Sequence, residues 1–596
     1  MMRRVADIIV ECLIENGITD CFSVVGGGAM HLNNAFVLRD EIKKVYCHHE
    51  QACAMAAEGY AKASGKMAAV CVTSGPGGLN ALNGVQGAYV DNTPMIVISG
   101  HPRYATTVAV TGLKLRSRGV QEFNIVDTVK HMTKYAKLIL NPCEIKYEVY
   151  KAVNIAMSGR RGPVWLDIPL DVQSALVEES ELLPPEYLEN NKMHEKYFAV
   201  AAWREMEKEL SLAKRPCILT GSGIRVSGAT EKFREFAEKL QVPIVGGALQ
   251  ADIMFNEHPL YYGMSGNVGP RCGNFILQNA DLILVIGNSL SFKQTGFKQE
   301  AFAKKAKILM IDIEEDEAKK PGLHVDKCYP LDLDTFFDNV EECVAPISVD
   351  KEWKEYCNHV KERFTRFEAL EHTNKEMEGI SASEFWKELL EKAAEDAIFA
   401  LGNSSCIVPA LVFGVNKEKQ RVIVNYNSGS MGDDLPEAVG IGVALKKEVY
   451  CVTGDGSVMM NLQELQTILY NKLPIKIILF SNHGYGAIRR TCKNFFKGTY
   501  TGCDEESGIS LPDFERVSYG FNIPYKKCLG SSQIQESLAW MNNQTGACIL
   551  EVMQKEEDIL YPRLMSKMNE DGTFTDPELQ DMYPFISDEE MKKLML

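Results

Sequence analysis

Long apolar runs are missing from this sequence. No stretch of its 596 residues reaches the roughly 18 apolar positions that a helix needs to cross a bilayer, so no membrane role is expected. Positive charge is also scarce: Lys and Arg number 64 against 80 Asp and Glu, a net charge of −16. Nonspecific nucleic-acid binding relies on basic surface, which argues against that class. An anionic cofactor stays open, because a metal and local amides can hold a diphosphate. Paired cysteine spacings are absent too. The 17 cysteines are scattered with no CxxC, which reads as reduced thiols in a cytoplasmic protein. Charge runs, low-complexity tracts and short-period repeats do not occur. The opening MMRRVADIIVECLIENGITD has two arginines, but Asp7, Glu11 and Glu15 interrupt its apolar positions. It is expected as an amphipathic first helix (Val5–Asn16) rather than a secretion signal. What the chain has is apolar content of 45%, ample for the cores of three or four domains.

The most informative stretch is EVYCVTGDGSVMMNLQELQTILYNKLPIKIILFSNHGYG, residues 448–486. Val449 to Thr453 reads as a buried strand, and Gly454-Asp455-Gly456 as a tight turn at its carboxyl end. Ser457 is expected to cap a helix with Leu462, Leu465, Ile468 and Leu469 on its inner face. Pro474 stops that helix, and Ile475 to Phe480 form the next strand. A strand–helix–strand crossover is right-handed, so Asp455 and Asn482 arrive at the same end of adjacent strands. Ligands of open α/β sheets bind at that edge. Asp455 offers a carboxylate oxygen, Asn482 an amide oxygen, and the backbone at Gly484 a carbonyl. Three protein oxygens suit Mg2+ only if water and phosphate complete its shell. The glycines and the free amides of the helix start favour an anion. The pattern predicts a metal–diphosphate site.

This stretch resembles the thiamine-diphosphate motif of the acetolactate synthase-like family, GDG followed some two dozen residues later by Asn-Asn. The first Asn of that doublet is Ser481 here, and the metal-ligating second one is Asn482. The resemblance implies an α/β chain of three doubly wound parallel-sheet domains. They are a thiamine pyrimidine-binding domain (1–185), a central Rossmann-like domain (198–345) and a thiamine diphosphate/Mg-binding domain (376–560). A tail (561–596) is expected to fold over the active site. The acidic, proline-bearing stretch 178–196 reads as a linker, and 346–375 as a charged helical connector.

Several other segments extend the resemblance. HEQACAMAAEGYAKASG, starting at His49, is similar to the family's activator segment, which makes Glu50 the catalytic carboxyl that hydrogen-bonds the cofactor's aminopyrimidine. Taken alone, an acid at a helix start has a plainer reading as a dipole complement. Gly26, Thr73, Pro76 and Asn80 are expected along the cofactor, together with Gly454, Gly456, Ser457, Gly484 and Tyr485. Met431, beside Gly429, is expected to wedge under it. Gln121 and His101 are the substrate-pocket candidates, although His101 stands where many relatives have Gln. Gly221, Gly223 and Gly228 lack the GxGxxG spacing of a dinucleotide turn. Ser289 occupies the place of the family's flavin-contacting Arg, so FAD and a flavin-free spacer domain both remain open. Arg489 and Arg490 read either as contacts for an acceptor's negative groups or as a surface basic pair.

The activity implied is decarboxylation of a 2-keto acid, pyruvate, and carboligation of the two-carbon unit to a second carbonyl. Acetyl transfer to a nucleotide-sugar ketone, and plain decarboxylation or oxidation, are the alternatives. Thiamine diphosphate and Mg2+ are the implied cofactors, in a homodimer or homotetramer with active sites between subunits.

Overall fold

The computed structural model describes residues 2–185, 192–248, 250–371, 373, 376–558, 560–568, 571 and 573–596. Three six-stranded sheets, every strand pairing parallel, form the centres of three α/β domains. Their strands are short, nearly continuous apolar runs such as VYCVTG and IKIILFS, as expected where helices cover both faces of a sheet.

The first and third sheets share one topology. In the first, the spatial order is Lys43–Tyr46, Asp20–Ser23, Ala68–Val72, Met95–His101, Val164–Pro169, Tyr135–Leu138. In the third it is Arg421–Val424, Ile398–Leu401, Val449–Gly454, Ile475–Ser481, Cys548–Met553, Tyr525–Cys528. Numbered along the chain, both run 2-1-3-4-6-5, so the order reverses between strands 1 and 3. The central sheet runs 3-2-1-4-5-6, from Tyr261–Met264 through Pro216–Thr220 to Lys327–Pro330. Crevices for ligands open at such reversal points.

The first and third domains meet through two helices, Glu50–Ser64 and Asp434–Leu445. Ala52, Ala56 and Gly59 strip the first helix of bulk, and Gly440 does the same for the second. An added Cβ at Gly440 would lie 2.7 Å from the Ala56 carbonyl carbon and 2.8 Å from the Tyr60 nitrogen. The backbones therefore touch directly. Lys62, at the far end of the first helix, pairs with Glu58 (2.7 Å) and Asp91 (2.9 Å) of its own domain and with Glu437 (3.3 Å) across this interface.

Four expectations are corrected. The first helix ends at Glu15, one residue early. Ser457 caps nothing: Asp455–Val458 is a single turn with Gly454 at its start, and the longer helix is Glu464–Tyr470. The connector is helical over Lys351–Arg363, as expected, and that helix packs on the central domain through Trp353, Cys357 and Val360. Trp353 Nε1 donates to the Pro216 carbonyl (2.9 Å), and Phe364 stacks on Phe275 at 5.2 Å. Of the supposed linker, 186–191 fall outside the described residues, while Lys192–Leu212 is helical. The tail wraps the central domain. Buried Arg271, Asn274 and Asn279 donate to the carbonyls of Met582 (2.7 Å), Leu579 (2.9 Å) and Leu594 (3.1 Å). Buried donors need such partners, and the tail supplies them.

Candidate cofactor and metal site

The third sheet builds its site at the reversal point between Ile398–Leu401 and Val449–Gly454. Asp455 follows the second of these strands and is 2% exposed. Its Oδ1 accepts the Gly456 amide (2.8 Å), and its Oδ2 accepts those of Asn482 (2.9 Å) and Gly484 (3.2 Å). The two strand ends are thus laced together through one carboxylate. Burial pushes the Asp455 carboxyl above its ordinary value, and the three amides oppose the shift. A divalent cation here would restore the carboxylate form.

Asn482 turns its amide nitrogen to Gln554 Oε1 (3.1 Å) and leaves its Oδ1 buried with no hydrogen-bond partner among the described residues. A buried acceptor without a donor is costly, and a cation removes the cost. Gly484, at φ +139°, sits against the Cys503 carbonyl, so a side chain there is excluded twice over. A carboxylate, an orphaned amide oxygen and a backbone carbonyl at one loop fit Mg2+ completed by phosphate and water.

The remaining candidates divide into holders and facing groups. Tyr485 packs its ring against Gly456, where a Cβ would lie 2.6 Å from Cδ1, so it holds the turn tight. Ser457 donates to Asp434 Oδ2 (2.8 Å) and accepts the Gly432 amide (2.8 Å). Its hydroxyl is a brace for the loop carrying Met431, which is partly buried. Gly429, at φ +62°, closes that loop on Asn425 Oδ1 (3.1 Å) and Asn403 Nδ2 (2.9 Å). Ser481 is buried, and its carbonyl accepts the Gln554 amide (2.8 Å); the strand end survives the change from Asn because it is held by backbone.

The first sheet repeats the arrangement. Glu50 begins its helix just after the second strand, with His49 Nδ1 capping the Gln51 amide (3.1 Å). The Glu50 carboxylate is 8% exposed and accepts from Asn80 Nδ2 (2.9 Å), beside Gly77. Thr73 accepts the Gly28 amide (3.0 Å), and a Cβ on Gly26 would lie 2.5 Å from the Thr73 Cβ. Pro76 opens the helix Pro76–Val90 that carries Asn80. Glu50, Gly26, Thr73, Pro76 and Asn80 therefore share one cradle. His101 ends the fourth strand, buried, and desolvation lowers its pKa. Gln121 is exposed, with its backbone against Gly75, and Glu122 acts on His101 from the same loop.

The central domain differs. The Gly223 amide is spent on the Gly287 carbonyl (2.9 Å), and Gly221 packs against the same turn. Those glycines serve close backbone packing, and the adjoining cavity holds about 90 Å3. A larger cavity of about 380 Å3 lies where all three domains meet, lined by Lys62, Arg161, Arg225 and Arg421, away from Glu50 and Asp455.

Two residues that pattern reading did not single out belong to the metal loop. Gln554 ties Asn482 to Ser405 Oγ (2.8 Å). Asp434 braces Ser457, and burial lifts its carboxyl to about 6. Arg489, noted as one of a basic pair, is buried and donates to the Asn482 (3.0 Å) and His483 (3.3 Å) carbonyls. It positions the loop from behind.

Three family models match in the order the sheets occur. Residues 3–128 match the thiamine pyrophosphate enzyme N-terminal TPP binding domain, 204–325 the central domain and 401–552 the C-terminal TPP binding domain. This chain belongs to the thiamine pyrophosphate enzyme family. Its relatives include acetolactate synthase 1, chloroplastic, of Zea mays, 29% identical over 95% of this chain and 87% of the relative. The acetolactate synthase isozyme 2 large subunit of Escherichia coli (strain K12) is 29% identical over 94% of this chain and 96% of its own length. For the thiamine pyrophosphate enzyme described here, the two cradles lie within the matched N-terminal and C-terminal binding domains. No described helix is long and apolar enough to cross a membrane.

Proposed function

We propose that this enzyme uses thiamine diphosphate and Mg2+ to decarboxylate a 2-keto acid, pyruvate first of all, and joins the two-carbon unit to a second carbonyl. The observation that carries the reading is the convergence of Asp455, the orphaned Asn482 Oδ1 and the Gly484 loop at one strand edge. Asp455, Asn482 and the backbone there would hold the metal. When bound, the cofactor supplies a carbon nucleophile and an electron sink. The protein binds, orients and excludes water. Glu50, sheltered at a helix start and fixed by Asn80, gives or holds a proton at its carboxyl oxygen. His101 and Gln121 border the substrate.

In one chain the Glu50 cradle is closed by N-terminal residues and the Asp455 cradle by C-terminal ones. The Glu50 side chain is bonded to Asn80, and no described bond ties it to the metal loop. The reading therefore sets the active site between two copies, in a cytoplasmic homodimer or dimer of dimers. The names of the relatives support the carboligase chemistry.

The test is to incubate the purified protein with pyruvate, thiamine diphosphate and Mg2+ and to identify products. Carbon dioxide with acetolactate is expected; carbon dioxide with acetaldehyde alone refutes the carboligation. Glu50→Gln is expected to retain cofactor binding and lose most turnover, and near-normal product formation removes the role given to Glu50. Light scattering is expected to show a dimer or larger, and a fully active monomer contradicts the shared site.

A further inference from the structure

Behind the metal loop lies a cavity of about 150 Å3 that the cofactor reading does not use. Arg489, Arg490 and Lys493 line one side, from the helix Gly486–Phe495, and Arg563, Tyr561 and Tyr583 of the tail line the other. Two of its four cations are already compensated. Lys493 pairs with Glu557 (2.6 Å), while Arg489 lies 3.7 Å from Asp504 and is engaged with the loop carbonyls.

Arg490 and Arg563 have no carboxylate partner among the described residues. Arg490 donates to the Asp558 carbonyl (3.2 Å) and the Ser404 hydroxyl (3.1 Å), both neutral. The Asp558 carboxylate is turned away, accepting from Ser381 Oγ (3.0 Å), the Ala382 amide (2.7 Å) and Gln554 Nε2 (3.0 Å). Arg563 keeps its Nε buried with no hydrogen-bond partner among the described residues. Glu556 contributes its carbonyl to Arg489, and its side chain is exposed. Desolvation and the neighbouring Arg563 and Arg489 charges weaken the hold of Arg490 on its proton, with the Asp558 charge opposing them, and desolvation weakens that of Arg563 against the opposing Tyr561 and Tyr583. A guanidinium does not discharge in a protein, so two partly buried charges with no carboxylate at ion-pair distance among the described residues favour an anion here. Two such charges match a dianion better than the single charge of a carboxylate, and their planar forks suit phosphoryl oxygens.

We infer that this cavity is a subsite for a phosphoryl group carried by the second, carbonyl-bearing substrate, with Arg490 and Arg563 as its anchors. The inference rests on the carboligase reading, because it names the class of acceptor. Arg489 links the two sites: one guanidinium touches both the metal-loop carbonyls and the cavity wall. An acceptor gripped here by its phosphoryl group is held beside the loop that carries Asn482.

The test uses the holoenzyme with thiamine diphosphate and Mg2+ bound beforehand, titrated calorimetrically with uridine 5′-diphosphate, inorganic phosphate or acetate. Carbon dioxide release from pyruvate is read on the same preparation. Binding of either phosphoryl probe, with acetate much weaker, is expected. Tighter binding of uridine 5′-diphosphate identifies a nucleotide-linked acceptor, and equal binding identifies a simple phosphate ester. Arg490→Gln and Arg563→Gln are each expected to weaken the probe by about tenfold or more, the loss of one charge-assisted hydrogen bond. If a Gln variant fails to fold by circular dichroism, Arg563→Lys decides, since it keeps the charge without the fork and is expected to bind more weakly than wild type. Acetate binding as well as phosphate overturns the inference, and so does a phosphoryl probe that binds only when thiamine diphosphate is withheld. Carbon dioxide release without probe binding sinks the subsite and leaves the decarboxylase reading standing. Probe binding without carbon dioxide release does the reverse.

Discussion

Replacing Gly440 by alanine adds one methyl group where two helix backbones touch, and its effect can be worked out against a neighbour. At Gly440 the new Cβ falls 2.7 Å from the Ala56 carbonyl carbon and 2.8 Å from the Tyr60 nitrogen. Both are backbone atoms of the opposing helix, so no side chain can swing aside. At Gly442, in the same helix Asp434–Leu445, the nearest atoms are Leu473 side-chain carbons at 3.7 Å and 3.8 Å, an ordinary contact. Overpacking costs about 1–3 kcal/mol, and backbone-to-backbone contact puts Gly440→Ala at the upper end. Alanine returns up to ~1 kcal/mol of helix propensity at either position. The net expectation is roughly 2 kcal/mol lost for Gly440→Ala and up to ~1 kcal/mol gained for Gly442→Ala. In a domain of 150–250 residues each kcal/mol moves Tm by about 2–4 °C. Scanning calorimetry of the apoprotein is therefore expected to show shifts of opposite sign. Three domains need not unfold in one step, so midpoints are compared rather than free energies. Equal shifts, or an unchanged Gly440→Ala midpoint, refute the direct backbone contact.

Three further outcomes follow from single contacts. Asp455→Asn keeps two of its three amide bonds but removes the carboxylate, and Mg2+-dependent cofactor binding is expected to weaken roughly a hundredfold by calorimetry with the far-ultraviolet spectrum unchanged. Asp167, fully buried and bonded to Ser99 (2.5 Å), has its carboxyl raised to about 8. Its folded form binds a proton that the unfolded chain has released, so stability falls as pH rises from about 4 to 8, by about 1.4 kcal/mol per unit at most. Asp167→Asn is expected to flatten that slope in a pH series of melts. Arg271→Met leaves Glu368 without its partner (2.8 Å) and frees the Met582 carbonyl. Limited proteolysis is expected to cut between residues 577 and 596 faster in that variant, after a loss of ~3–5 kcal/mol typical of a broken buried pair.

The parts of the site that sequence reading reached are those built by neighbours in the chain. The Gly454–Gly456 turn, the strands that flank it and Asn482 are one crossover, whose handedness fixes where its ends meet. Glu50 was legible because a strand, a cap and a helix follow one another without interruption. Ser457 misled for the opposite reason. A serine after a strand looks like a cap, yet its hydroxyl goes to Asp434, far off in the chain, because that buried carboxylate needs a donor. The connector Lys351–Arg363 is legible as a helix, but not its packing on the central domain through Trp353, Cys357 and Val360. Its many exposed charges hid a narrow buried stripe. The tail was beyond local pattern altogether, since what holds it is the unmet hydrogen bonding of Arg271, Asn274 and Asn279 in another domain.

This division has a functional consequence. The cofactor cradles are made of strand ends and glycine contacts inside two sheets, where a single Cβ at Gly26, Gly440 or Gly484 collides with fixed atoms. Such places resist change. The phosphoryl cavity instead joins one helix face to Tyr561, Arg563 and Tyr583, residues of a tail held to the central domain by a modest set of bonds. Exchanging those residues alters the charge offered to an acceptor without disturbing a sheet. On the proposed reading, a chain built this way keeps one decarboxylating centre while its second substrate changes. Swapping Arg490 and Arg563 for neutral residues of similar size is then expected to shift product away from phosphorylated acceptors toward acetolactate. Mass spectrometry of mixtures containing pyruvate and a phosphorylated ketone measures that ratio, and a ratio that stays put assigns acceptor choice to the first domain, beside His101 and Gln121.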